Sequence, residues 1–144
     1  MTSQQIIQSN LRRLERRILP RCELDTQVEV SLESRGEIRE YSVKSINISM
    51  RAIELSCGDA LIQAILAQST YPHECEVSFS IPGQSKEYNF TTHVVTHRRL
   101  SQNEYQLVLR FCEMKKSVQE KLLDGLTTIQ VARTGPAKAM SMAS

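Results

Sequence analysis

Five arginines, Arg12, Arg13, Arg16, Arg17 and Arg21, crowd one short stretch near the start of this 144-residue chain, with only Glu15 among them to offset the charge. A guanidinium is a planar fork of N–H donors that stays charged at physiological pH and grips phosphate or carboxylate oxygens in pairs. Residues 1–22 carry five positive charges and one negative, a net of +4; the remainder carries thirteen basic and fifteen acidic residues, a net of −2. The formal total of +2 therefore conceals a polarised molecule with an anion-seeking end. Further along, Asn47 and Ser49 lie in the turn-like stretch Asn47-Ile48-Ser49-Met50-Arg51-Ala52. An amide offers both a donor and an acceptor, and a hydroxyl does the same on a shorter stem. The ordinary alternative for this pair is that both residues simply form a turn.

The elements that must position these side chains are read from periodicity. Ile7, Leu11, Leu14 and Ile18 recur at helical steps, and Pro20 stops the helix at Leu19, which predicts a short N-terminal helix with a basic flank. The period then changes to two. Val28, Val30 and Leu32 alternate with polar residues, and Ser34-Arg35-Gly36 makes a turn into a second strand over 38–46, where a slip of phase near Lys44 and Ser45 predicts a bulge or bend. Ile53 and Leu55 form a third strand, and Gly58-Asp59 opens a short helix over 60–68. Three more strands follow: Cys75 to Ile81, Tyr88 to His97, and Tyr105 to Phe111. Ser117 with Glu120 forms a capping box for a closing helix over 117–129, in which Gly125 is a weak point. The reading is a mainly β chain, a six-stranded antiparallel barrel or sandwich with a C-terminal α-helix. Its expected segments are an N-terminal helical segment over 1–14, a domain over 15–130 and a flexible tail over 131–144.

Bulk composition excludes several functions. Aromatics make up 5% of the chain and Trp is absent, so there is no platform for stacking single-stranded nucleic acid, and the small total charge argues against DNA or RNA as a partner. Cys22, Cys57, Cys75 and Cys112 form no Cys-x-x-Cys pair and are expected to be reduced thiols of a cytoplasmic protein. No apolar run reaches the length of a membrane span, and the first residues lack a signal-peptide pattern. His93 and His97 share a strand face but lack the further ligands a metal site needs. No phosphate-binding glycine loop, nucleophile elbow or catalytic triad is present, so neither an enzyme nor a cofactor is expected. Acids such as Glu29, Glu54 and Glu76 occupy outward strand positions, as on a solvated sheet face.

The arginines before the first strand and the Asn-x-Ser-x-x-Ala stretch after the second together resemble the paired motifs of PilZ domains, Arg-x-x-x-Arg and Asp/Asn-x-Ser-x-x-Gly. The resemblance covers roughly residues 15–130. It implies a six-stranded Greek-key β-barrel with a C-terminal helix, and a bacterial receptor for the second messenger cyclic di-GMP. Three registers of the arginine pair are open: Arg12 with Arg16, Arg13 with Arg17, and Arg17 with Arg21. Arg17 and Arg21 flank Pro20 and lie closest to the first strand, where the family places its pair, often with a further arginine just before it, here Arg16. The implied ligand site is therefore Arg16, Arg17, Arg21, Asn47, Ser49 and Ala52. Ala52 stands where the family has Gly. If that backbone is left-handed, Ala costs about 1 kcal/mol or more and weakens or reshapes the loop. Two outcomes follow from the resemblance: a receptor whose basic segment folds onto the barrel with ligand and relays the change to a protein partner, or a PilZ-like interaction module that no longer binds the nucleotide. A homodimer is compatible with either.

Overall fold

In the computed structural model residues 21–134 are described. The expected N-terminal helix, Arg12, Arg13, Arg16 and Arg17, and the tail beyond Thr134 lie outside the described residues. The strands are β1 (Cys22–Glu23), β2 (Gln27–Ser34), β3 (Glu37–Ile48), β4 (Ala52–Cys57), β5 (Glu74–Ser80), β6 (Glu87–Ser101) and β7 (Glu104–Phe111). The helices are α1 (Asp59–Leu66) and α2 (Lys116–Thr134). Alternation makes the strands: Val28, Val30 and Leu32 of β2 and Cys75, Val77 and Phe79 of β5 turn inward and are buried, while their neighbours face out.

All pairings are antiparallel and run in the order β3, β2, β5, β6, β7, β4, with β4 returning to β3 to close a six-stranded barrel. Closure leaves no open edge among these six strands. Strands β5, β6 and β7 follow one another as hairpins, and β4, joined to β5 through α1, lies beside β7; this is the Greek-key connection. Arg35 and Gly36 turn β2 into β3 with φ of 55° and 79°, the left-handed pair that a tight hairpin requires. Strand β6 runs to Ser101, beyond the expected end at His97, because the turn after it is short enough for Ser101 to pair with Glu104.

The two helices close opposite ends. Helix α1 buries Leu61, Ile62, Ala64 and Ile65, and the buried Ser34 hydroxyl donates to the Ala64 carbonyl at 2.9 Å. Helix α2 lies over the end where β6 begins, burying Leu122 and Leu126. Gly125, a weak point by propensity, has a packing reason. A Cβ there would stand 2.7 Å from the Tyr88 hydroxyl and 2.9 Å from Ile81 Cδ1. Tyr88 cannot easily retreat: it is 3% exposed, stacks on Phe79 with ring centroids 5.6 Å apart, and donates its hydroxyl to the Lys121 carbonyl at 3.3 Å.

The four cysteines are thiols and form no disulfide, and burial pushes the Cys57 thiol up to about 11 and the Cys75 thiol up to about 12. Two outcomes are expected. Gly125→Ala gains helix propensity but overpacks the Tyr88 contact, for a net loss on the order of 1 kcal/mol, read as a lower urea midpoint. The thiols ionise more readily unfolded, so their contribution is intact below the ordinary value of 9.0 and falls as pH rises towards the folded values. Unfolding free energies from urea titrations at rising pH should fall above pH 9, by up to about 1.4 kcal/mol per pH unit per thiol.

Candidate functional site

The site is built where β3 ends. The register of β3 against β4 shifts between Ser45 and Asn47, so the expected bulge lies there and Ile46 is the additional residue. The bulge presents Ser45 inward, and its buried hydroxyl clasps the incoming chain: it donates to the Leu24 carbonyl and accepts from the Thr26 N–H at 3.0 Å. The Leu24 N–H also donates to the Ile46 carbonyl at 3.1 Å. This stitching forms β1, a two-residue strand that periodicity could not reveal, with Cys22 opposite Ile48 and Glu23 opposite Asn47. The far end of β3 is thus flanked by β1 on one side and β4 on the other, where Asn47 faces Glu54 and Ile48 faces Ile53. Arg21, the residue before β1, is delivered to the same place.

Arg21, Asn47, Ser49 and Ala52 line one depression of about 110 Å³, together with Ile48, Glu54 and Val108. Four of the six residues expected from the sequence therefore come together; Arg16 and Arg17 lie outside the described residues. Their individual parts differ. Ser49 shapes the turn between β3 and β4: its hydroxyl accepts from the Arg51 and Ala52 N–H groups, each at 3.2 Å. Asn47 is a strand residue, and its side chain turns along the barrel surface towards β4. Ala52 begins β4 opposite Arg110, and its φ is not positive. The cost foreseen for Ala in a left-handed conformation does not arise, because the backbone here is extended.

Glu54 is the residue that sequence reasoning placed wrongly. It was expected on a solvated face, yet its side chain is only 13% exposed and receives three donors. Arg21 Nη1 lies 3.4 Å from Oε1, while Asn47 Nδ2 at 3.3 Å and Gln106 Nε2 at 3.0 Å donate to Oε2. The signal was present in the alternation, since Glu54 shares the outward face of β4 with Ala52. What could not be read was that β3 and β7 would bring Asn47 and Gln106 alongside it. The Arg21 end of the pair is loose, with its side chain 71% exposed, so the ion pair adds at most about 1 kcal/mol. The amide end is sheltered and fixes the carboxylate.

A depression of this size is below the roughly 300–1,000 Å³ usual for a drug-sized ligand. It suits one polar edge of a larger molecule. A wider groove of about 620 Å³ lies elsewhere, between the β2–β3 turn and the end of α1, but Glu33, Glu74 and Glu76 line it with Arg35 as its only described cation, which disfavours an anion. Among the described residues no helix is long and apolar enough to cross a membrane.

No protein-family model matches this chain, and no curated protein does. Solved structures do. The chain is similar to the Bacillus subtilis inhibitor of motility MotI/DgrA at 16% identity and a TM-score of 0.55, over 78% of this chain and 48% of that one. It is similar to the Borreliella burgdorferi PlzA protein in complex with c-di-GMP at 11% identity and a TM-score of 0.59, over 90% and 59%. The K. pneumonia MrkH–c-di-GMP complex matches at 16% identity and a TM-score of 0.58, over 80% and 52%. The chain spans about half the length of the structures it matches. The closed six-stranded barrel with its additional short strand and two helices is a PilZ-like fold.

Proposed function

We propose that this protein is a bacterial cyclic di-GMP receptor, not an enzyme, that binds the nucleotide on the outer face of its barrel through Arg16, Arg17, Arg21, Asn47, Ser49 and Ala52. The observation that carries the reading is the convergence of Arg21, Asn47, Ser49 and Ala52 on one depression of a PilZ-like fold, although Arg21 is far from the others in sequence. Two of the similar structures, PlzA and MrkH, are described as complexes with c-di-GMP, which supports the choice of ligand. The chemistry agrees. The ligand carries two phosphates and two guanines. Arginine forks suit both phosphate oxygens and the O6 and N7 atoms of guanine, while Asn47 meets a base edge in the depression.

The arginines before β1 act as the clamp. When they close on the ligand, the segment that carries them is drawn against the barrel beside β1 and α2, which alters the surface offered to a protein partner. This is an order-changing switch of the kind driven by charge-assisted hydrogen bonds. A second reading, a PilZ-like interaction module without the nucleotide, draws on one observation: the Glu54 carboxylate already occupies Arg21.

Calorimetric titration of the full chain with cyclic di-GMP, against linear GMP as control, separates the two. The receptor reading expects saturable heat at micromolar protein with cyclic di-GMP alone. Arg17→Ala and Arg21→Ala should each weaken affinity about 10- to 100-fold, the worth of a hydrogen bond to a charged group, while Arg12→Ala leaves it nearly unchanged. The Arg21 variant should keep its thermal midpoint, since the pair with Glu54 is mostly exposed on the arginine side. Absence of heat with wild-type protein overturns the receptor reading in favour of the interaction module.

A further inference from the structure

We propose that Glu54 is a positioning residue that fixes the orientation of the Asn47 amide and thereby sets the site to recognise guanine over adenine. The proposal deepens the receptor reading and rests on it. A carboxylate can only accept hydrogen bonds, whereas an amide can present either its oxygen or its nitrogen. With Glu54 Oε2 at 3.3 Å, one of the two Asn47 Nδ2 hydrogens points to the carboxylate, which sets the orientation of the amide. Its Oδ1 is left without a donor among the described residues, on a side chain that lines the depression. Asn47 therefore meets a ligand with an acceptor, as an aspartate would, without adding a negative charge beside an incoming phosphate.

The carboxylate is held in this role from both sides. Gln106 Nε2 donates at 3.0 Å to the same oxygen that takes Asn47, and Arg21 engages the other oxygen at 3.4 Å. The Glu54 side chain is 13% exposed, so the amide pair operates in a sheltered, lower-dielectric place where its orientation is strongly preferred. An outward acceptor complements the guanine edge, whose N1–H and N2–H₂ groups both donate. The corresponding adenine edge has an acceptor at N1, which would face the Asn47 oxygen without a proton between them.

Replacing Glu54 with glutamine inverts this logic. The guanidinium of Arg21 is the charged donor and donates only, so the oxygen of the introduced amide turns to it, and Gln106, itself an amide, turns its own oxygen to the new nitrogen. The nitrogen of that amide then faces Asn47, which must turn its own oxygen inward and offer Nδ2 to the ligand. Introducing aspartate at position 47 in the same chain removes the ambiguity: the new carboxylate accepts from the introduced glutamine and again presents an acceptor outward. A residue that merely braces β3, β4 and β7 would show no such reciprocity.

The test is a pair of calorimetric titrations, with cyclic di-GMP and with cyclic di-AMP, on the full-length wild type, Glu54→Gln and the double variant Asn47→Asp/Glu54→Gln, each checked for its thermal midpoint. Glu54→Gln should narrow the preference for the guanine ligand by about 10- to 100-fold, the discrimination one well-made base contact supplies, and the double variant should restore it. An unchanged preference in Glu54→Gln overturns the inference while leaving the receptor reading intact. Tighter binding of both ligands by Glu54→Gln also overturns it, because Glu54 would then act only as an anion competing for Arg21. Absence of binding by the wild type with either ligand removes the receptor reading and this inference together.

Discussion

Barrel closure at the end of β3 is the constraint on which the rest depends. Antiparallel strands can form a closed sheet only if the last strand finds the first, and here β4 returns to β3 immediately after a three-residue turn. A bulge at Ile46 bends the strand as it reaches that turn. The bend has a second consequence, because it turns Ser45 inward to bind the chain arriving ahead of β2. One local irregularity thus lies where the barrel closes and where Arg21 is brought beside Asn47. Backbone groups at this crowded point are satisfied by β1, β4 and the Ser49 hydroxyl, so the turn is held by its own hydrogen bonds and does not need glycine at Ala52.

The charge arrangement around that point is economical. Arg21 is the described cation of the depression and Glu54 its described anion, so the two are neutral together. The arginine is exposed and weakly tethered, which leaves it free to exchange a carboxylate for a phosphate at small cost. The carboxylate is not free to move in the same way, because two amides hold it. An exposed donor thus stands next to a sheltered acceptor that two amides hold. Helix α2 packs across the barrel end through Gly125 and Tyr88 and also touches β1.

Much of this architecture was legible in the residues. Strict alternation in β2, β5 and β7 reported burial directly; α2 starts within a residue of Ser117, but Ser117 lies inside the helix and the first helical bonds go to the Lys115 carbonyl, so the expected capping box is not what starts it. The phase slip near Ser45 was visible because Tyr41 and Val43 disagree with Ile46 and Ile48 about which face is buried. Strand β1 was not legible: a two-residue pairing has no periodicity, and it exists only because Ser45 and Ile46 supply partners from elsewhere in the chain. Glu54 failed for a related reason. An outward strand position is normally solvated, and only the register of β3 and β7 turned this one into a sheltered acceptor. Ser49 and Asn47 were read as a pair but do different work, one within the turn and one across the sheet, a distinction that depends on where β3 ends.

On the proposed function, the ligand meets the barrel at the Arg21, Asn47 and Glu54 network. The most direct measurement is a nuclear magnetic resonance titration of isotope-labelled protein with cyclic di-GMP, following backbone amides together with the Asn47 side-chain amide and the Arg21 Nε–H. Arg21, the Asn47 side chain, Ser49, Ala52 and Glu54 should shift together and saturate at one ligand concentration, with the groove around Arg35, Gln68 and Glu74 undisturbed. Shifts concentrated in that groove, or none at the Asn47 side chain, would contradict that placement.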